Sequence, residues 1–210
     1  MGRYTEAKCK LCRRAEMKLF LKGVRCTTEK CSFAKRPVPP GMQHRRKRGK
    51  PSYYALQLRE KQKAKNAYNM LERQFRRFYD VASRRKGASG RVLIQMLERR
   101  LDNVMYRSLF ALSRNQSRQL VRHGFVFVDG QRVDIPSYLV KDGQEIEIRA
   151  HDSLKKDLKS NVDINSKERS CPTWMQADNE NLKIKIVRLP EKEDLVVSID
   201  EQLIVELYSK

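Results

Sequence analysis

The sequence lacks any apolar run of the roughly 18 residues that a membrane-spanning helix needs. Its first residues, MGRYTEAKCK, contain no apolar core of the kind found in a secretory signal peptide. Glu6 also stands where an N-myristoylation motif requires Ser or Thr. We therefore expect a cytoplasmic protein without membrane association, in a reducing compartment where cysteines remain thiols.

Acidic residues are also scarce. The chain has 25 Asp and Glu against 46 Lys and Arg, a formal net charge of +21 over 210 residues. The imbalance is concentrated early, because residues 1–50 hold 16 basic and 3 acidic groups, whereas residues 151–210 hold 10 and 12. So much like charge opposes compaction unless a polyanion neutralises it. Nucleic acid is the polyanion that this composition indicates.

Four of the five cysteines lie between residues 9 and 31, in CKLCRRAEMKLFLKGVRCTTEKC. Cys9 and Cys12 form a C-x2-C pair, and Cys26 and Cys31 form a C-x4-C pair. Two such pairs supply the four ligands of tetrahedral Zn²⁺, and we expect the basic neighbours to lower the pKa values of the thiols. An iron–sulfur cluster also uses four thiolates, and disulfides or free thiols are further alternatives. Cys171 stands alone, which is typical of a packed or surface thiol.

The segment that follows, KRPVPPGMQHRRKRGKPSYY, combines helix-breaking residues with a basic run. It predicts a phosphate-contacting arm, although a flexible linker has the same composition. Ser52 is expected to cap a helix. Further along, Leu71, Phe75, Phe78 and Ala82 recur every three or four residues, which predicts an apolar helical stripe that packs in a core.

The middle of the chain predicts helices followed by strands. Leu93, Leu97, Leu101 and Val104 are expected on one helical face. Ser113 and Gln116 form a capping box that opens the helix SRNQSRQLVRHG. Its Arg114, Arg118 and Arg122 are four residues apart, which predicts three guanidinium groups along one side, a pattern suited to the backbone of duplex RNA. FVFVDGQRVDIPSYLVKDGQEIEIR then predicts a small antiparallel sheet with two Asp-Gly turns.

The predicted fold class is α+β, with a four-cysteine zinc knuckle, a helical domain and a second domain that holds the two-helix and antiparallel-strand RNA-binding module. We expect a zinc-binding extension with its basic arm over residues 1–45. A helical domain follows over residues 46–90 and is completed by a C-terminal helix at 195–210. The second domain covers residues 91–190, with the RNA-binding module at about 99–160.

The stretch SRNQSRQLVRHGFVFVDGQRVDIPSYLVKDGQEIEIR resembles the RNA-binding domain named after ribosomal protein S4. The cysteine spacing, RPVPPG, YALQLREKQK, LERQFRRF and DEQLIVELYSK extend that resemblance to the ribosomal S4 family over nearly the whole chain. Two positions depart from the family pattern. Ser117 stands where the motif commonly has Ala, and Met42 interrupts the turn of the basic arm.

The resemblance implies a structural protein of the small ribosomal subunit, not an enzyme. It implies primary binding to a helix junction in the 5′ domain of small-subunit ribosomal RNA, nucleation of subunit-body assembly and a contribution to translational accuracy. Implied partners are the neighbouring protein S5 and messenger RNA near the point where it enters the subunit. Cys9, Cys12, Cys26 and Cys31 match the zinc-type positions of the family. The expected RNA-binding residues are Arg45, Arg46, Lys47, Arg48, Lys50, Tyr53, Arg59, Lys61, Lys63, Arg114, Arg118, Gln119, Arg122 and His123.

Proteins of two other classes share some of these sequence features. Pseudouridine synthases carry the same domain and use an Asp in an R-L-D motif, which occurs here as Arg100-Leu101-Asp102. The chain has no room for a separate catalytic domain, and Asp102 is expected to be a carboxylate on a helix surface. A zinc-bearing DNA-binding regulator is the second alternative, and it would need a dimerisation stripe and base-reading side chains.

Overall fold

The computed structural model of the chain describes residues 4–41, 50–195 and 198–209. Residues 1–93 together with 196–210 form one compact unit, here called the terminal unit, and residues 94–195 form the central unit. The division falls inside a helix, three residues after the boundary expected at residue 90. Among the described residues, no helix is both long enough and apolar enough to cross a membrane.

The secondary-structure elements in the described part of the terminal unit are helices, including a short 3-10 turn at Gly23–Cys26. The four clustered cysteines lie in or directly beside its short first elements, and its longer helices follow the basic arm. The helices are α1 (Cys9–Ala15), α2 (Ser32–Lys35), α3 (Tyr53–Ala67), α4 (Glu72–Ser83), the first half of α5 (Ser89–Glu98), and α9 (Glu201–Tyr208) at the end of the chain.

Local sequence explains where α3 and α4 begin and which faces they bury. Ser52 caps α3, as expected, because its Oγ accepts a hydrogen bond from the Ala55 amide at 3.3 Å. In α4, Phe75, Phe78 and Ala82 are buried along the predicted stripe. Leu71 was wrongly included in that stripe. It is the residue before the helix, and 41% of it is exposed.

The C-terminal helix α9 packs against α3 inside the terminal unit. Asp200 caps α9 and accepts hydrogen bonds from the Gln202 and Leu203 amides. Ile204 is fully buried, and the Tyr208 ring stacks on Tyr79 with 4.5 Å between the ring centroids. The last residues of the chain therefore form part of the core that its first half begins.

The central unit joins helices to one antiparallel sheet. Its helices after α5 are α6 (Leu101–Arg107), α7 (Arg114–Arg122) and α8 (Asp152–Ser166). Its strands are β1 (Val126–Val128), β2 (Gln131–Arg132), β3 (Glu145–Ile148), β4 (Met175–Asp178) and β5 (Lys183–Ile186), in the spatial order β2-β1-β3-β5-β4, and a 3-10 turn follows at Lys192–Asp194.

The first hairpin follows from its turn residues. Asp129 and Gly130 have φ angles of +49° and +80°, the left-handed pair that joins two strands tightly. Val126 pairs with Ile148, and Val128 pairs with Ile146, so alternate residues of both strands enter the core. The sheet consequently has one buried face and one outer face.

The structure corrects the expectation of one continuous helix from Leu93 to Val104. All four residues of the predicted stripe are buried, but the chain leaves α5 and restarts as α6. Arg100 is extended at the break and pairs with Leu139, and the Leu101 amide donates to the Tyr138 carbonyl at 2.8 Å. A strand-like contact with a distant loop thus interrupts the helical pattern.

Helix α8 and strand β4 were not expected from the sequence. His151 begins α8, and its Nδ1 accepts a hydrogen bond from the Leu154 amide at 3.3 Å. Asn161 and Asn165 are buried in the helix, and their side-chain amides donate to the carbonyls of Phe110 and Leu109. Helix α8 therefore supplies hydrogen-bond donors to the buried carbonyl groups of the loop between α6 and α7.

Candidate RNA-binding site and cysteine cluster

Helix α7, which carries the expected RNA-contacting residues, has well-defined ends. Ser113 Oγ accepts from the Gln116 amide at 3.4 Å, and Gln116 Oε1 accepts from the Leu112 amide at 2.7 Å. The second bond reaches one residue further back than a standard capping box. Helix α7 ends at His123-Gly124, where Gly124 adopts a φ of +77°. The helix packs along α6.

A buried ion cluster joins α6 to α7. Asp102 Oδ2 lies 2.6 Å from Arg100 Nη2 and 3.3 Å from Arg118 Nη1, and its Oδ1 accepts from Arg100 Nε at 3.0 Å. Arg100 is fully buried, and Asp102 is 5% exposed. The expectation that Asp102 is a surface carboxylate was therefore wrong. Asp102 is buried, and its charge is balanced by two buried arginines.

Arg114 is held in the same interior. Its Nε donates to Asn103 Oδ1 at 2.9 Å, and its guanidinium lies 4.4 Å from the centroid of the Tyr106 ring. A second guanidinium, that of Arg169, lies 3.9 Å from the same centroid. Burial lowers the pKa of Arg169, Tyr106 raises it, and the nearby positive charge of Arg114 lowers it further.

Three guanidinium groups therefore do not project along one side of α7. Arg114 and Arg118 are 6% and 7% exposed, because they face α6 and its polar groups. The exposed positions are Gln119, Arg122 and His123. Arg122 Nη1 lies 3.9 Å from Asp134 Oδ2, and both side chains are more than half exposed, so the pairing is weak. RNA contact by the five residues stays a prediction.

We expect the Gly124→Ala variant to be less stable than the Gly130→Ala variant. Both glycines have positive φ, so alanine costs about 1–2 kcal/mol at either position. A Cβ at Gly124 would lie 2.0 Å from Arg132 Nη2, whereas a Cβ at Gly130 would meet no atom within 4 Å. The exposed Arg132 side chain would move aside and lose its 3.5 Å hydrogen bond to the His123 carbonyl, which adds less than about 1 kcal/mol. Urea unfolding of the two variants, followed by fluorescence of the single Trp, measures the difference. Equal losses would show that the position of Arg132 over Gly124 contributes nothing.

The expected RNA-binding residues of the terminal unit occupy varied settings. Lys50, Tyr53 and Arg59 are exposed, and the Tyr53 hydroxyl donates to Glu206 on α9. Lys61 is 8% exposed and bonds Glu72 at 2.6 Å. Lys63 is paired with Glu60, and the four basic residues Arg45, Arg46, Lys47 and Arg48 lie outside the described residues.

None of the four clustered cysteines forms a disulfide, and three of them are buried. Cys9 begins α1, Cys12 follows one turn later, Cys26 ends the first 3-10 turn and Cys31 precedes α2. The Lys22 amide lies 3.4 Å from Cys26 Sγ, in position to donate to the sulfur. The fifth cysteine, Cys171, packs at the edge of the central core.

The pKa values of Cys12 and Cys26 are raised, whereas the sequence led us to expect lowered values. Burial raises the pKa of Cys12, and the charges of the other three cysteines raise it further, against a backbone hydrogen bond from Leu19. Burial also raises the pKa of Cys26, as do the charges of Cys31 and Cys9, against the hydrogen bond from the Lys22 amide and the charge of Lys18. Burial therefore outweighs any effect of the basic neighbours on these two pKa values, and the four thiols lie within electrostatic range of one another.

The four cysteines have the right donor atoms for a zinc site, but their positions in the structure do not form one. Four thiols, three of them buried and one beside a backbone amide, are suitable donors for Zn²⁺. Among the described residues, which include all four, no group of three or more His, Cys, Asp or Glu side chains is arranged so as to hold a metal ion.

Comparison with known proteins assigns the chain to a family. Residues 3–98 match the ribosomal protein S4/S9 N-terminal domain, and residues 99–146 match the S4 domain. The chain is 52% identical to a protein of Thermodesulfovibrio yellowstonii over the full length of both, and that protein is named small ribosomal subunit protein uS4. The chain belongs to the ribosomal protein S4 family. Proteins with the same name in Dictyoglomus turgidum and Acidobacterium capsulatum are 50% and 52% identical, again over both full lengths.

The family match argues against the pseudouridine synthase that the R-L-D motif suggested. Enzymes that borrow only the S4 domain would not account for the match over residues 3–98. The R-L-D motif that suggested an enzyme is, in this structure, part of the ion cluster between α6 and α7. Family and structure together identify this motif as part of a ribosomal protein's interior.

Proposed function

We propose that the chain is a structural constituent of the small ribosomal subunit, without enzymatic activity, and that it binds small-subunit ribosomal RNA in the cytoplasmic ribosome. The observation that carries this proposal is identity of 50–52% over full length to proteins named small ribosomal subunit protein uS4. The S4 domain supplies an RNA-binding module, and the excess of 21 positive charges suits a polyanion.

The geometry favours recognition of RNA shape. Gln119, Arg122 and His123 form a short exposed polar patch on α7, and Arg59 and Lys50 are exposed in the terminal unit. A-form RNA presents phosphates and 2′-hydroxyls, which such side chains contact without reading base sequence. The buried cluster at Asp102 would hold α7 in position while these residues contact the RNA.

At finer detail, the family resemblance leads us to place the chain at a helix junction in the 5′ domain of the RNA. There it would bind before most other proteins, nucleate the subunit body and contribute to translational accuracy. It would neighbour ribosomal protein S5 and lie near the point where messenger RNA enters the subunit. Basic side chains distributed over both units would allow one chain to contact several RNA helices.

We also propose that Cys9, Cys12, Cys26 and Cys31 hold Zn²⁺. Closed four-sulfur coordination leaves no position for a substrate, so the metal would stabilise the first forty residues. The buried thiols and the amide beside Cys26 Sγ support this role. An iron–sulfur cluster uses the same donors, and metal analysis with an absorption spectrum distinguishes the two.

Footprinting on naked RNA tests the ribosomal function. We expect the purified chain, added alone to small-subunit ribosomal RNA, to protect backbone positions around one helix junction in the 5′ domain. Protection should saturate at one protein per RNA, because a primary binder needs no other protein. Protection spread evenly over the RNA, or protection that requires other ribosomal proteins, would contradict the proposal.

A further inference from the structure

A cleft of about 850 Å³ opens at one end of the central sheet. The cleft lies between the ends of β1 and β3, the first turns of α8 and the turn that joins β4 to β5. The residues that line the cleft include Phe125, Arg149, His151, Lys159 and Leu182. The cleft is separate from the exposed positions of α7 but begins beside them, because Phe125 directly follows the glycine that ends α7.

Aromatic rings connect the end of α7 to this cleft. The Phe125 ring centroid lies 6.2 Å from that of His123 and 6.3 Å from that of His151, and the second pair meets edge to face. His123 and His151 are exposed, and Phe125 is half-buried. Rings in such a row offer flat surfaces on which unpaired bases stack, whatever their sequence.

Charge in the cleft is suited to a phosphate group. Arg149 pairs with Glu147, and Lys155 pairs with Asp152. Lys156 and Lys159 are both exposed and form no ion pair with any residue in the part of the chain that the structure describes. Glu180 is the remaining acidic group of the lining. After these pairings, two lysines face one carboxylate.

We propose that this cleft holds an unpaired nucleotide of the bound RNA. The base would stack against Phe125 and His151, and the phosphate would lie between Lys156 and Lys159. The exposed residues of α7 would contact the duplex beside it, and His123 would mark the point where the strand leaves the duplex. This inference rests on the proposed function and extends it from duplex contacts to a single-stranded segment.

Two sets of substitutions test the cleft in the full chain. Lys156→Gln with Lys159→Gln removes the phosphate contacts, and Lys141→Gln with Lys167→Gln is the matched control, since these exposed lysines lie outside the cleft lining and cost the same charge. His151→Ser removes a ring but keeps a residue that caps α8. The probe is the 5′ domain of small-subunit ribosomal RNA containing 4-thiouridine.

We expect the Lys156/Lys159 variant to bind about tenfold more weakly at moderate salt, with a salt slope lower by about 1–2, while the control changes affinity less than about threefold. His151→Ser should weaken binding about five- to tenfold at unchanged thermal stability. Irradiation should cross-link 4-thiouridine to the peptide that contains Phe125 or His151. If wild type binds specifically but the cleft and control variants are equal and no such cross-link forms, the cleft inference is overturned and the ribosomal function stands. Absence of specific binding by wild type would instead overturn the proposed function and the cleft with it.

Discussion

Replacement of Asp102 by asparagine is expected to lower the unfolding free energy of the central unit by about 3–5 kcal/mol. Asparagine keeps the shape of the side chain but leaves Arg100 and Arg118 facing each other without the carboxylate that bonds both. Both guanidinium groups are buried, so water does not replace the lost partner. The single Trp174 is fully buried in the central unit, and its fluorescence during urea unfolding measures the loss.

A matched control separates this effect from loss of charge alone. Asp134→Asn removes a carboxylate from the exposed pair with Arg122, and we expect it to cost less than about 1 kcal/mol. Equal and small effects of the two substitutions would contradict the assignment of Asp102 as the centre of a buried cluster. Weaker RNA binding by Asp102→Asn than its unfolded fraction accounts for would show that the cluster positions α7.

The second large effect is expected from loss of metal. A chain purified without chelator should contain one Zn²⁺, and Cys26→Ser should contain much less. Apparent binding energies of structural zinc are on the order of 10 kcal/mol, far more than two short helices and one 3-10 turn contribute by themselves. Limited proteolysis should therefore cut within residues 4–41 of Cys26→Ser or of chelated wild type, while Trp174 fluorescence remains native.

Cys171→Ser is the control for that experiment. Cys171 packs in the central unit, away from the four clustered cysteines in sequence and in unit. We expect its substitution to leave the zinc content and the protection of residues 4–41 unchanged. Wild type that contains neither zinc nor iron, and whose N-terminal segment resists proteolysis with and without chelator, would contradict the metal proposal.

The parts of the fold that follow from local signals were predictable. Ser52 and Asp200 are helix caps, and Asp129-Gly130 forms the hairpin turn, because each motif satisfies backbone groups within a few residues. The apolar faces of α5 and α6 were also identified. The break between these helices was not, since it depends on pairing with Leu139, about forty residues away.

Helix α8 was missed for a different reason. Its inward face includes Asn161 and Asn165, which are buried because they donate to the carbonyls of a distant loop. A search for apolar periodicity scores such positions as exposed. Residues 152–166 contain neither proline nor glycine, and His151 precedes them as a cap. The absence of helix-breaking residues was therefore the feature of the sequence that indicated this helix.

The candidate site shows the same limit. The spacing of Arg114, Arg118 and Arg122 predicted that they share one side of α7, but residue type did not reveal which of them face α6. Arg118 is buried because Asp102 lies opposite, and Arg114 because Asn103 and Tyr106 do. In a protein with such an excess of positive charge, an acidic residue within a helix, such as Asp102, was the better indication of which arginines are buried.

The central claim is that the chain specifically binds ribosomal RNA, and a competition titration tests it most directly. The full chain would be titrated against the 5′ domain of small-subunit ribosomal RNA, with bulk transfer RNA and duplex DNA as competitors, at moderate and high salt. Shape-specific recognition predicts tight binding that falls with salt but survives both competitors at high salt. Binding that both competitors abolish equally would mean that the basic surface is nonspecific, and it would contradict the claim.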